Sequence, residues 1–399
     1  MKYAFLVGDG MGDYPLPELG GKTPLGAAAT PNMDLIASCR LGSLQTIPEG
    51  MDPGSDVANL SLLGYDPRKY HTGRSPFEAA SMGVDLAPGE AAFRMNLVTL
   101  DIQSEDHILM VSHSAGDLTT EEGTALVEAI ASSIEVPGGR FFPGVAYRHL
   151  MTWRDGPLNV KTLPPHDYLD RNIASYLLME GSNPVPKLIR RSWDILKNHP
   201  VNRQRKKQGL NEANSIWLWG QGTAPELPRF KSLYGISGGV ISAVDLIKGI
   251  GAYAGLESIH VPGATGYLDT NYIGKGESAI DALKKLDFIF VHVEAPDEAS
   301  HNGRVDEKMH AIESFDRDVV GTVLKGLSGT GDFKIMVATD HYTPISKRTH
   351  STEPPPLAWA SGPELEKTAG GKGFNEKDAA ESALFFENGC KMMKAFITD

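Results

Sequence analysis

From about Asn214 onward, short apolar runs and helical stretches take turns, and this alternation limits the fold more than any other feature of the chain. Ser215–Trp219, Ser258–Val261, Asp287–Val293 and Lys334–Ala338 read as strands; Ile241–Ala254, Glu277–Lys285 and Val305–Leu327 read as the helices between them. Strands separated by helices of this length imply a parallel sheet covered on both faces. The opening run, Lys2–Val7, fits the same sheet. A helix is expected over Asn32–Ser38, with Thr30 as its cap and Pro31 in its first turn, and another begins near Ser55. The middle of the chain has its own rhythm: strand-like runs at Phe93–Leu100, Ile108–Ser112 and Val145–Trp153, a helical run at Thr120–Ile134 and a basic helix at Pro186–Asn198. The reading is therefore an α/β domain made of residues 1–88 and 213–399, with a smaller α+β domain inserted at 89–212.

Charge narrows the function. The 399-residue chain carries a net −12, which disfavours general binding of nucleic acid. Yet Arg140–Lys207 holds thirteen basic and five acidic residues, a local excess of +8 suited to phosphate or carboxylate ligands. The longest apolar runs, such as Tyr3–Val7 and Phe288–Val291, fall far short of the roughly 20 residues a bilayer span needs, so no membrane partner is expected. Met1–Phe5 begins like an export signal, but Asp9 ends the stretch too early for an h-region of about 7–15 residues, which points to a first strand and a cytoplasmic location. Two cysteines, Cys39 and Cys390, cannot build a disulfide framework or a zinc ribbon.

The chemistry gathers at strand ends. Asp9 follows the first strand, Asp297 follows Phe288–Val293 through Glu294-Ala295-Pro296, and Asp340-His341 follows Ile335–Thr339. Ligands of open parallel sheets bind beyond the carboxyl ends of strands, and carboxylates gathered there call for a cation. Asp297 and His301 are spaced i,i+4 on one helical face, and His350 lies nine residues beyond His341. With Ser55 in Pro-Gly-Ser-Asp, these make seven candidate ligands, more than one four-coordinate zinc takes. They suit two divalent metals with mixed oxygen and nitrogen ligation, the arrangement that clamps both oxygens in phosphoryl transfer. Ser55 is the candidate nucleophile, although a serine opening a helix is, alone, usually a cap. Three tempting motifs do not hold. Gly21-Lys22-Thr23 lacks the leading glycine of a P-loop, Gly235-Ile236-Ser237-Gly238-Gly239 lacks the strand before a nucleophile elbow, and Gly8-x-Gly10-x-Gly12 carries Asp9 where a phosphate would approach.

Gly8-Asp9-Gly10-Met11, Pro53-Gly54-Ser55-Asp56, Glu294–His301, Thr339-Asp340-His341 and Thr349-His350, together with Tyr147–Leu150, Pro164–Asp167 and Val261–Gly266, resemble the archaeal-type cofactor-independent phosphoglycerate mutases of the alkaline phosphatase superfamily. The resemblance runs over nearly the whole chain. It implies an alkaline-phosphatase-like sheet and interconversion of 3- and 2-phosphoglycerate, a small phosphorylated substrate, through phosphorylated Ser55. It further implies one metal on Asp9, Ser55, Asp340 and His341 and another on Asp297, His301 and His350, with Mn²⁺ the first choice and Mg²⁺, Zn²⁺ or Co²⁺ the alternatives. In the insert it points to His113, Arg148 and Arg203 as substrate contacts, with Arg154, Asp155 and Lys206 as alternatives. Ser237 stands where the family pattern places a lysine, and Tyr342 is bulkier than the pattern. Rival readings are a homoserine-kinase-like phosphotransferase, whose branch Arg74-Ser75-Pro76 and Asn214–Gly222 also resemble, a phosphatase, and a non-catalytic metal- or phosphate-binding protein.

Overall fold

The computed structural model of the chain describes every residue except 117, 180, 330, 369 and 399. Its strands are β1 (Lys2–Gly8), β2 (Leu41–Leu44), β3 (Ala91–Ser104), β4 (His107–Ser112), β5 (Gly139–Val145), β6 (Arg148–Trp153), β7 (Ser215–Gly222), β8 (Gly238–Ile241), β9 (Glu257–Ser258), β10 (Phe288–Val293), β11 (Phe333–Thr339), β12 (Pro356–Ser361) and β13 (Phe385–Phe386). They form an eight-stranded sheet in the order β13-β2-β12-β11-β1-β10-β8-β9 and a five-stranded sheet in which β4, β3, β6 and β5 follow one another and β7 also pairs with β3. The chain divides into two compact units, Met1–His71 with Glu226–Asp399, and Thr72–Pro225.

In the first unit β1 lies between β10 and β11, parallel to both. All three are almost wholly apolar and buried on both faces, as central parallel strands must be. Register matters most here. Gly8 pairs with Val293 on one side and with Thr339 on the other, so the three strands end level. From β11 outward the sheet is mixed, since β12 runs antiparallel to β11 and to β2. No helix among the described residues is long and apolar enough to cross a membrane.

Several elements depart from the sequence reading for identifiable reasons. Ser215–Trp219 does not open the large sheet; as β7 it pairs antiparallel with β3, and Ile216, Trp217 and Leu218 fill the core of the second unit. A short apolar run says that a strand is buried but not in which sheet. The expected helix Ile241–Ala254 starts at Asp245, because β8 occupies Gly238–Ile241. Ser258–Val261 shrinks to the edge strand β9. Val145–Trp153 is the second arm of a hairpin that turns at Ala146, which takes a positive φ of 54°. The helix at Val305–Ser314 continues through a π-helical stretch, Phe315–Val320, into Gly321–Leu327. That stretch presents Asp316, whose carboxylate accepts from the Met33 N–H at 2.7 Å and the Asn32 N–H at 3.3 Å. Thr30 makes no capping bond, because Asp316 caps the helix Pro31–Ala37 from across the fold.

The unit boundaries at 71/72 and 225/226 lie outside the expected limits of 89 and 212, and packing explains why. Ser75 Oγ accepts from the Arg94 N–H at 2.6 Å and donates to Gly220 O at 2.6 Å, while Glu78 pairs with Arg94. The helix Ser75–Ser81 is thereby fixed to β3 and β7. Elsewhere in this unit a capping box of Thr119 and Glu122 starts the helix Thr120–Ser133. Arg205, buried in the basic region, donates to Glu122, Ala115 O and Asn211 O.

His149, on β6, accepts from the Gly144 N–H through Nδ1 at 3.0 Å. Burial, aided by Arg94, pushes it down to about 3. The unfolded chain therefore takes up a proton near an ordinary value of about 6.5 that the folded chain refuses until about 3. This contribution to stability is intact at neutral pH and is lost as pH falls through that window. We expect His149→Gln, which keeps an acceptor for Gly144, to flatten the fall in urea-unfolding free energy between about pH 6.5 and 3. An unchanged acid profile would contradict this assignment.

Candidate metal centre

Because β1, β10 and β11 end level, the residues that follow them meet at one depth. The Asp9 N–H donates to Val293 O at 2.9 Å, carrying the β1 ladder one residue further. Gly10 then turns the chain with φ 61°, and a Cβ there would lie 2.5 Å from Asp297 Oδ1 and 2.6 Å from Thr343 Oγ1. Only glycine fits. The Gly10 N–H donates to Asp340 Oδ1 at 3.0 Å and the Met11 N–H to Thr339 Oγ1 at 3.0 Å, which ties the turn to the end of β11.

Two donor groups result. In the first, Asp9, Asp340 and His341 are fully buried and present their ligand atoms within 4.8 Å of one another. In the second, Asp297, His301 and His350 do the same. The rings of His341 and His350 lie 4.1 Å apart, so the groups are neighbours. Their hydrogen bonds set the tautomers. His301 Nδ1 faces Arg348 O, which only accepts, at 3.0 Å, and so carries a proton and turns Nε2 toward Asp297 and His350. Thr343 Oγ1 donates to Asp297 Oδ1 at 2.5 Å, so His341 Nδ1, 3.1 Å from that hydroxyl, is the donor to it and Nε2 is a free lone pair.

Charge tells the same story. Burial, reinforced by Asp340, Glu294 and Asp297, pushes Asp9 well above the usual carboxylate range. Burial also lowers His341 to about 4, leaving it neutral. Against the upward push of burial, His301 and His350 hold Asp297 well below its ordinary value, and Asp297 in turn raises His301 to about 10 despite the burial of that ring. Both oxygens of Asp9 are buried without a hydrogen-bond partner. The neutral imidazole of His341, the converging ring nitrogens of His301 and His350 and the unpartnered oxygens of Asp9 are what a divalent cation with mixed O/N ligation takes, so the residues fit the expected metals.

Ser55 is the first residue of the helix Ser55–Leu62, with Gly54 at the cap position. Its hydroxyl does not cap the helix; Oγ lies 3.2 Å from His341 Nε2. Asn59, one turn on, donates to Ser55 O at 2.9 Å and to Asp340 Oδ2 at 2.8 Å. The Val57 N–H is already engaged by Asp56, whose other oxygen meets His71 at 2.8 Å. A buried ion pair lies just behind. Lys308 Nζ donates to Asp13 at 2.8 Å and to the carbonyls of Gly12 and Thr343, locking the loops after β1 and β11 together.

All seven sequence-named ligand candidates thus lie together. Sequence reasoning missed Asn59, Thr343, His292, Glu294 and Lys275. His292 sits inside an apolar strand, and only its closeness to Asp9 across the sheet, 3.1 Å, singles it out. Ser237 lies at the amino end of β8, bonded to Asp287, which is the opposite end of the sheet from the centre; besides Lys308, a second buried lysine, Lys275, donates to His292 O. Tyr342 is accommodated because its ring packs over Gly12.

The insert candidates are not gathered into one group. The His113 ring faces those of Tyr147 and His166 at 5.9 and 6.4 Å, and the Arg148 guanidinium lies over Tyr147. Arg148 and His113 share an anchor in Asn96, which pairs with Arg148 across the sheet and donates to His113 O. Arg154 and Asp155 lie exposed beyond Trp153, at the other end of β6. Arg203 donates to Asn198 O, and exposed Lys206 pairs with Glu212.

A family model described as 2,3-bisphosphoglycerate-independent phosphoglycerate mutase matches residues 37–202. A probable 2,3-bisphosphoglycerate-independent phosphoglycerate mutase of Geobacter sulfurreducens is 48% identical over 399 residues, spanning the whole of both chains. A 2,3-bisphosphoglycerate-independent phosphoglycerate mutase of Methanothrix thermoacetophila is likewise 48% identical over the full length of both. Among solved structures, a Pyrococcus horikoshii protein superposes with a TM-score of 0.80 at 30% identity, covering 99% of this chain and 96% of that one. A cofactor-independent phosphoglycerate mutase of Thermoplasma acidophilum gives 0.59 at 26% identity, covering 100% and 99%.

The Lys308–Asp13 pair carries a stability expectation. Asp13→Ala leaves a fully buried ammonium with two carbonyls and without its paired carboxylate, which costs about 3–5 kcal/mol. Urea unfolding of the variant checks this. A loss below about 1 kcal/mol would mean that the pair does not hold the loops.

Proposed function

We propose that this chain, which belongs to the 2,3-bisphosphoglycerate-independent phosphoglycerate mutase family, interconverts 3- and 2-phosphoglycerate through a phosphoserine at Ser55. The observation that carries this reading is the placement of Ser55 Oγ, 3.2 Å from His341 Nε2 of the first donor group instead of on its own helix N–H groups. One cation would be held by Asp9, Ser55, Asp340 and His341, the other by Asp297, His301 and His350. We take Mn²⁺ as first choice, because three carboxylates, three imidazoles and one hydroxyl suit it. When bound, the cations would lower the pKa of the serine hydroxyl and offset the negative charge of the transferring phosphoryl group.

The remaining work falls to the protein's own groups. Asn59 fixes the first turn of the helix to Asp340, so the hydroxyl is held in place before substrate arrives. His341 Nε2 lies 3.2 Å from Ser55 Oγ, so the imidazole lone pair and the hydroxyl would meet the same cation. Ser55 takes the phosphoryl group, the glycerate stays bound and turns, and the group returns to the other hydroxyl. We assign retention of the glycerate to the second unit, through Arg148 and His113, whose common anchor Asn96 holds them at neighbouring places. Arg suits a bidentate grip on a carboxylate.

Ser55→Ala is expected to stay folded, retain its metal and lose activity by several orders of magnitude. Mass spectrometry of quenched wild-type enzyme should find phosphate on Ser55. A wild-type rate in the alanine variant would overturn the reading. Arg148→Ala should weaken substrate binding by about 1.5–3 kcal/mol without changing metal content, seen as a raised KM for 3-phosphoglycerate. An unchanged KM would place the glycerate elsewhere.

A further inference from the structure

Arg348 has a backbone that an arginine seldom takes. Its φ is 54°, in the left-handed region, although its side chain is exposed. The N–H groups of Lys347 and Arg348 both donate to Pro344 O, at 2.9 and 2.8 Å, so the segment makes one helical turn that ends at Arg348. Glycine or asparagine is the usual residue where such a turn ends left-handed. An arginine there carries a steric cost and persists only if its surroundings hold it.

Those surroundings are specific. The Ser351 N–H closes the loop by donating to Tyr342 O at 3.0 Å, and the Ile345 N–H donates to the buried Asp13 at 3.2 Å. The Arg348 guanidinium lies against Gly303, just beyond the helix Ala295–His301; a Cβ on Gly303 would sit 2.6 Å from Nε and 2.7 Å from Nη2. What the turn achieves is direction. The Arg348 carbonyl faces His301 Nδ1 at 3.0 Å. Of the three donors in the second group, His301 is the least enclosed, its side chain 30% exposed against 19% for His350 and 5% for Asp297. Packing alone therefore holds this ring least. By accepting from Nδ1, the carbonyl keeps Nε2 turned toward Asp297 Oδ2 at 3.1 Å and His350 Nε2 at 3.0 Å.

We propose, on the reading of Asp297, His301 and His350 as metal ligands, that Arg348 is a positioning residue for the cation they would hold. Its left-handed backbone aims the carbonyl that orients His301, and its guanidinium, seated on Gly303, holds that backbone. An exposed residue that is no ligand thereby sets the affinity of the second group. Ligating imidazoles are fixed through their other ring nitrogen, and loss of such a partner lowers metal affinity about 10–100-fold.

Manganese binding to the full chain separates backbone from side chain. Chelator-stripped wild type, Arg348→Val and Arg348→Gly are titrated with Mn²⁺ by equilibrium dialysis and elemental analysis, and crystals grown at limiting Mn²⁺ give the anomalous peak heights at the two groups. Valine resists a positive φ, so the turn must reopen. Affinity at Asp297–His301–His350 should fall about 10–100-fold, with Asp9–Asp340–His341 unchanged. Glycine takes this φ freely and needs no guanidinium to hold it, so Arg348→Gly should stay within a few-fold of wild type. Gly303→Asn tolerates the φ of 68° at that position but displaces the guanidinium; it should lower the same affinity, and Arg348→Gly added to it should restore binding. Wild-type affinity in Arg348→Val, or an equal loss in Arg348→Val and Arg348→Gly, would overturn the proposal. So would a lower melting temperature with the ratio of the two affinities unchanged, the mark of a turn that is merely structural. No manganese at the second group in wild type would overturn both this role and the metal reading. If Arg348→Val does not fold, as judged by circular dichroism, Gly303→Asn with and without Arg348→Gly decides.

Discussion

Everything at the centre depends on the level ending of three strands. Gly8, Val293 and Thr339 are partners across β1, β10 and β11, so the residues just beyond them have no choice but to meet. A slip of one residue in either pairing would reverse which face each side chain packs on and carry an aspartate to the wrong side. The apolar runs that make these strands central are therefore also what positions the acids. Gly10 shows how little slack is left, since even a methyl group there would collide with Asp297 and Thr343.

Bringing carboxylates together inside a protein is costly unless each negative charge is met. The fold meets some of them itself. Asp13 has Lys308, and Asp340 has the N–H groups of Gly10 and His341 and the amide of Asn59. Asp9 has no such partner. The contrast separates supporting acids, satisfied by the chain, from acids held in wait for a cation. Thr343 links the two donor groups by bonding Asp297 on one side and His341 on the other, so their geometries are set jointly.

Much of this was legible beforehand. Acids at the ends of apolar runs, the Asp297–His301 spacing and Ser55 before a helix all point to the centre, because strand ends and helix faces fix direction from local sequence alone. What local sequence could not convey was the partner across the sheet. His292 looks like an ordinary strand residue until Asp9 is seen beside it, and Asn59 and Thr343 matter only through Asp340 and His341. For the same reason Ser215–Trp219 reads locally like a strand of the larger sheet, and Thr30 like a cap that Asp316 in fact provides from far along the chain. In the insert, a count of basic residues could not distinguish Arg205, buried in a structural network, from Arg148, exposed beside His113.

The position of β1 bears on the order in which the molecule assembles. It is synthesised well before its partners, which lie at residues 288–293 and 333–339. Residues 72–225, by contrast, are contiguous and have their own core. On a chain emerging from its amino end, that segment is complete while β1 is still without neighbours, an apolar strand with both edges open. Such long-range pairings close slowly. The strand at the heart of the larger unit is thus made long before it can be paired, and the interval between is when the nascent chain is most exposed to aggregation.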